Sequence, residues 1–140
     1  MAIQIAPMLT VSSGQAAIDY YRAAFGAKLL WQVEKGEAVA GLEFGGAKFF
    51  LAEESPQHGT RGPASAGFTT VRIEVFVDDP IAVQEQALAA GATNHTPVTE
   101  NNYEVQGAEP IRRIAQGTVV DPFGHIWLIG KILECSASSV

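Results

Sequence analysis

Residues 71–80 read Val71-Arg72-Ile73-Glu74-Val75-Phe76-Val77-Asp78-Asp79-Pro80. Val71, Ile73, Val75 and Val77 fall on one face of an extended chain; Arg72, Glu74 and Phe76 fall on the other. That period of two predicts a strand with two different environments. Asp79 is a good N-cap and Pro80 a good first helical residue, so a helix follows. It runs to about Ala90 and stops at Gly91. The text on either side shows that this strand–helix unit occurs twice.

Downstream, strands are expected over Thr96–Val105, Ile111–Val120 and Ile126–Ile132, with a turn around Gly107–Pro110. Asp121-Pro122-Phe123-Gly124 is a second turn, because Pro presets φ and Gly tolerates positive φ. Upstream, Ile3–Val11 reads as a strand. Ile3, Ile5, Leu9 and Val11 share one face, with Pro7 interrupting, and Gln4, Ala6, Met8 and Thr10 share the other. Ser12 and Gln15 have capping-box spacing. Ala17, Ile18, Tyr21 and Phe25 then recur at helical spacing up to Gly26. Strands over Ala27–Glu34, Ala38–Phe44 and Ala47–Glu53 follow, split by the hairpin signals Lys35-Gly36 and Gly45-Gly46.

Each half is therefore strand, helix, then three strands. Gly26-Ala27 ends the first helix and Gly91-Ala92 the second, while Phe44-Gly45 and Phe123-Gly124 precede the last strand of each half. Duplication is the economical reading. The expected fold is α+β, two βαβββ modules forming a cupped mixed sheet around a cavity. The expected boundaries are one domain over 1–140, with module one about 3–54, a Gly/Pro-rich linker 55–67, module two about 68–132 and a frayed tail 133–140.

The chain has 140 residues, 47% hydrophobic and 17% charged. A single domain of this size builds a core without a disulfide or metal staple. The net charge of −6 repels phosphate backbones, so nucleic acid is an unfavourable partner. No stretch approaches the ~20 apolar residues of a membrane span, and no basic run precedes an apolar core near Met1, as a signal peptide would need. The lone Cys135 cannot form an internal disulfide, which fits a cytoplasmic protein.

The text Ala17-Ile18-Asp19-Tyr20-Tyr21 leading to Phe25-Gly26-Ala27, set in two βαβββ modules, resembles the vicinal oxygen chelate superfamily, the glyoxalase, bleomycin-resistance and extradiol dioxygenase group. The closing text Asp121-Pro122-Phe123-Gly124-His125-Ile126-Trp127 is similar to its PhnB-like branch. The resemblance spans about residues 3–132. It implies a divalent metal on the concave sheet face, held by His, Gln or Glu from the first and last strands of each module. The matching positions here are Ala6, Phe50 (or Ala52), Arg72 and Leu128. None is a carboxylate or imidazole, and a guanidinium would repel the cation. No metal or other cofactor is therefore expected. Glu43, Glu54 and Glu74 are the residues that could form a different metal site. The resemblance also implies a homodimer.

The candidate ligand-binding set is Arg72, Glu74, Phe50, Phe76, Glu43, Met8 and Leu128, apolar walls with a few charges for orientation. Arg72 and Glu74 share a strand face, so they orient a polar ligand, satisfy each other or contact a partner subunit. His125 follows a turn and reads as a residue that fixes it. His58 and His95 read as surface residues, and Cys135 as an inert thiol. Trp127 has the parity of the helix-packed face, while Trp31 and Tyr103 are left open. The expected function is metal-free sequestration of a small organic ligand in the sheet cavity. The alternatives are a metal-dependent lyase, isomerase or dioxygenase with a non-standard site, or a metal-independent enzyme using His125 or Glu74 as base.

Overall fold

A computed structural model describes residues 1–33, 39–108 and 110–135. The elements are β1 Met8–Val11, α1 Gly14–Phe25, β2 Lys28–Gln32, β3 Val39–Phe44 and β4 Ala47–Glu53. A 3-10 turn Pro56–His58 and the short helix α2 Pro63–Ala66 follow. Then come β5 Arg72–Phe76, α3 Pro80–Ala90, β6 Thr93–Asn102, β7 Ile111–Val120 and β8 Ile126–Cys135. The strands form two four-stranded sheets, ordered β1-β4-β3-β2 and β5-β8-β7-β6. In each, the first strand pairs in parallel with the last and the other pairings are antiparallel. The expected α+β architecture of two βαβββ modules is thus what the chain forms.

Helices α1 and α3 pack on each other and on the sheets behind them, so both modules share one core. An aromatic cluster crosses the boundary: Phe25 lies 4.8 Å from Trp127 between ring centroids, Phe49 5.7 Å from Trp127, and Tyr21 5.2 Å from Phe49. Trp127 is buried, as its parity requires.

Several boundaries differ from expectation. β1 starts only at Met8, and Ile3 and Ile5 are 91% and 89% exposed. Pro7 is the reason. Its carbonyl still accepts from Phe50 N at 2.8 Å, but with no N–H it cannot extend the ladder, and the chain leaves the sheet ahead of it. The cap of α1 is Ser13, whose Oγ accepts from Ala16 N, rather than Ser12. Gln15 does not reach back to complete a capping box; it donates to Asp19 Oδ1 one turn ahead. For α3, Asp79 accepts from Ala82 N and Pro80 opens the helix, as expected.

The edge strand β6 begins at Thr93 and ends at Asn102, earlier at both ends than the pattern suggests. Two register shifts, at Thr93/Thr96 and Thr96/Thr99, let it carry Pro97. They also strand two carbonyls on the helix side. Gln84 of α3 answers them, its amide donating to Thr96 O at 2.7 Å and Thr118 O at 3.1 Å. Gly117 leaves room for that amide, since a Cβ there would stand 2.8 Å from Gln84 Nε2. β8 runs past the expected end at Ile132, to Cys135. The linker holds local helical turns. The Lys35-Gly36 hairpin, Glu109 in the expected turn and the tail 136–140 lie outside the described residues.

Candidate functional site

The motif that closes the second module builds the joint between the modules. Asp121, 2% exposed, accepts four hydrogen bonds. Its Oδ1 takes Phe123 N at 2.9 Å and His125 N at 3.0 Å; its Oδ2 takes Tyr21 OH at 2.5 Å and Trp127 Nε1 at 2.9 Å. His125 Nε2 lies 2.8 Å from the Thr10 carbonyl oxygen, so that nitrogen is the donor. One histidine thereby ties the start of β8 to β1. Within the turn it is the backbone N–H of His125 that bonds, to Asp121, while the imidazole reaches the neighbouring module, which leaves Nε2 engaged instead of poised as a base.

Burial, and then the neighbouring Asp121, push the Tyr21 phenol well above its ordinary value of 10.0. The neutral phenol is the form the fold favours. Its contribution to stability is full below about pH 10, where the unfolded chain's tyrosine ionises, and falls as pH rises beyond that. Urea unfolding at pH 8 and pH 11 should show the alkaline loss in the native sequence and a smaller loss in Tyr21→Phe. Equal alkaline losses would contradict this role for Tyr21.

Three of the cavities among the described residues lie along the joint. The largest of these three, about 710 Å³, is walled by Trp31, Phe50, Trp127, Ile5, Lys48 and Glu74, among others. A second, about 420 Å³, includes Met8, Arg61, Phe68, Val71 and His125. A third, about 660 Å³, includes Phe44, Glu74, Phe76, Asp78 and Asp79. Of the seven expected ligand-binding residues, Phe50 and Glu74 share the largest cavity. Met8 lines the second, and Phe76 the third together with Glu74.

Arg72, Glu43 and Leu128 line none of the three. They stand on the helix-free sheet faces, Arg72 opposite Ile126, Leu128 opposite Glu74, and Glu43 opposite Lys48. Arg72 and Glu74 do not pair: Glu74 Oε1 instead accepts from Gln116 Nε2 at 2.7 Å.

One of the two residues the sequence left open, Trp31, is a principal wall. Trp31, 41% exposed, tilts against Phe50 with ring centroids 5.2 Å apart. Its indole lies flat on the backbone of Gly41, where a Cβ would come within 2.4 Å of Cε2. A signal existed in the alternation, since Gly41 pairs with both Trp31 and Phe50 across β3. The β2 register shift between Leu29 and Trp31 hid it. Tyr103 is part-exposed and lines none of these cavities.

The residues do not suit a divalent metal. Ala6 and Phe50 line the main cavity and offer no lone pair there. Glu54 is bonded to Ser65 Oγ at 2.6 and 2.7 Å, and Glu74 to Gln116. Among the described residues no group of three or more His, Cys, Asp or Glu side chains could hold a metal ion. No helix among them is long and apolar enough to cross a membrane.

Comparison with known proteins agrees with this architecture. Residues 4–129 match the sequence model of the Glyoxalase/Bleomycin resistance protein/Dioxygenase superfamily, and the chain belongs to that family. The uncharacterized protein Mb0911c of Mycobacterium bovis is 33% identical over 133 residues, covering 91% of this chain and 82% of that protein. Rv0887c of Mycobacterium tuberculosis, also uncharacterized, is 33% identical over 133 residues, 91% of this chain and 73% of that one.

Among solved structures, TioX from Micromonospora sp. ML1 superposes with a TM-score of 0.69 at 23% identity, over 94% of this chain and all (100%) of that one. The fosfomycin resistance protein FosX of Mesorhizobium loti gives 0.62 at 11% identity, over 91% and 90%. A bleomycin resistance determinant encoded on transposon Tn5 gives 0.61 at 16% identity, over 95% and 100%. At these identities the structures speak for the fold alone.

Proposed function

We propose that this chain is a metal-free binding protein of the PhnB-like branch, which encloses a small organic molecule in the cavity between its modules. The observation that carries the reading is the wall itself. An indole laid flat on Gly41, Phe50 beside it and the Glu74 carboxylate face a space of about 710 Å³, a size suited to a small organic molecule. The strand positions where a metal would be held carry side chains without lone pairs. Apolar area supplies affinity, and Glu74 supplies orientation; no covalent step is needed.

Half-exposed Met8 and Phe76 stand on the helix-free faces with Leu128. A second copy closing over them completes a cup, so the working form is a cytoplasmic homodimer.

The test is metal content. Purified untagged protein is incubated with Zn²⁺, Ni²⁺, Mn²⁺ and Fe²⁺, desalted and assayed. Near-zero stoichiometry for every metal is expected. About one tightly held metal per chain would overturn the reading in favour of a metal-dependent lyase, isomerase or dioxygenase.

A further inference from the structure

Glu74 differs from the other candidate binding residues in being held. Gln116, on β7, reaches across β8 to donate to Glu74 Oε1 on β5 at 2.7 Å. The residue it crosses is Gly130, which presents no side chain of its own. Gly130 is the register partner of both Gln116 and Phe76, and an added Cβ there would meet Gln116 Cγ at 3.5 Å and the Ala115 carbonyl oxygen at 2.7 Å. Among the described residues Glu74 Oε2 has no partner. The carboxylate is therefore an oriented acceptor with one oxygen to spare, on the wall of the cavity that also holds the Trp31 platform. The other charge on that wall, Lys48, is exposed, and among the described residues no hydrogen bond or ion pair fixes it.

We infer that the cavity selects flat aromatic molecules carrying a protonated nitrogen, with Gln116 as the residue that positions Glu74 for the charged N–H. The ring stacks on Trp31, where a cation also gains from the indole face. The N–H⁺ donates to Glu74 Oε2, a charge-assisted bond stronger than a neutral one. A planar anion meets the same carboxylate unfavourably, and a planar neutral molecule keeps only the stacking. This inference rests on the binding reading above and adds the charge class to it.

Three tricyclic probes of similar size test it: proflavine (cation), phenazine (neutral) and anthracene-9-carboxylate (anion), each titrated against tryptophan emission at pH 7. Proflavine should bind roughly tenfold tighter than phenazine, and the anion weakest, the scale of one charged hydrogen bond near solvent. Glu74→Gln should abolish that ratio by weakening proflavine, and its thermal unfolding, read alongside, shows that the variant is folded. Gln116→Ala should shrink the ratio without touching phenazine, a change that general loss of structure would not produce. Equal affinities for all three probes, or a ratio unmoved in Glu74→Gln, would overturn the inference while the binding reading survives. Failure of every probe to bind would remove both.

Discussion

Asp121→Ala should destabilise the protein by about 3–5 kcal/mol, the scale of removing one member of a buried polar network. Four donors converge on this side chain: two backbone N–H groups, the Tyr21 hydroxyl and the Trp127 indole. Alanine leaves them facing a cavity, and a buried donor without a partner costs about 1–3 kcal/mol. Asp121→Asn keeps the shape and should still cost about 2 kcal/mol, because an amide offers only one acceptor oxygen. With that oxygen on the backbone side, the NH₂ meets the Trp127 N–H, which can only donate. With it on the other side, the NH₂ meets two backbone N–H groups. Urea unfolding reads both variants. A loss under 1 kcal/mol for Asp121→Ala would show that this residue is not the joint between the modules.

Gly41→Ala should separate binding from folding. The glycine has ordinary backbone geometry, so alanine itself fits the strand, but its Cβ would stand 2.4 Å from the Trp31 indole. The part-exposed indole can lift away, so stability should change by less than about 1 kcal/mol. The platform, however, is lost. Affinity for a planar probe should fall roughly tenfold or more, the worth of an aromatic stacking contact together with its buried area. Phenazine titration alongside thermal unfolding gives both numbers. A melting transition that collapses, or a probe affinity that does not change, would contradict the placement of Trp31.

The fold was legible where local chemistry and periodicity agreed. Asp79-Pro80 and Gly91 bracket α3, and the alternation of 71–77 gives β5 and its two faces. It misled where one residue overrode a pattern. Ile3 and Ile5 continue the alternation of β1, yet Pro7 withdraws the N–H that the ladder needs. Gln15 sits at capping-box spacing but spends its amide on Asp19.

The site was legible only in part, because a cavity between two modules depends on how they pack. Parity placed Phe50 and Glu74 on the correct faces. Nothing local announces that Trp31 lies on Gly41, that Gln116 crosses Gly130 to reach Glu74, or that His125 bonds to Thr10 of the other module. Those pairings are long-range, and the first of them rests on a glycine whose missing side chain makes room for the indole.

The most direct test of a metal-free cavity is an amide and indole ¹H–¹⁵N spectrum of EDTA-treated protein titrated with phenazine. The two indole N–H signals are distinct reporters, since both rings line the cavity but Trp31 is part-exposed, while Trp127 is buried with its N–H held by Asp121. Saturable shifts of the Trp31 indole and the Gly41 and Phe50 amides are expected, with the Trp127 indole moving little. No saturable shift, or shifts that emerge only once a divalent metal is added back, would contradict the account.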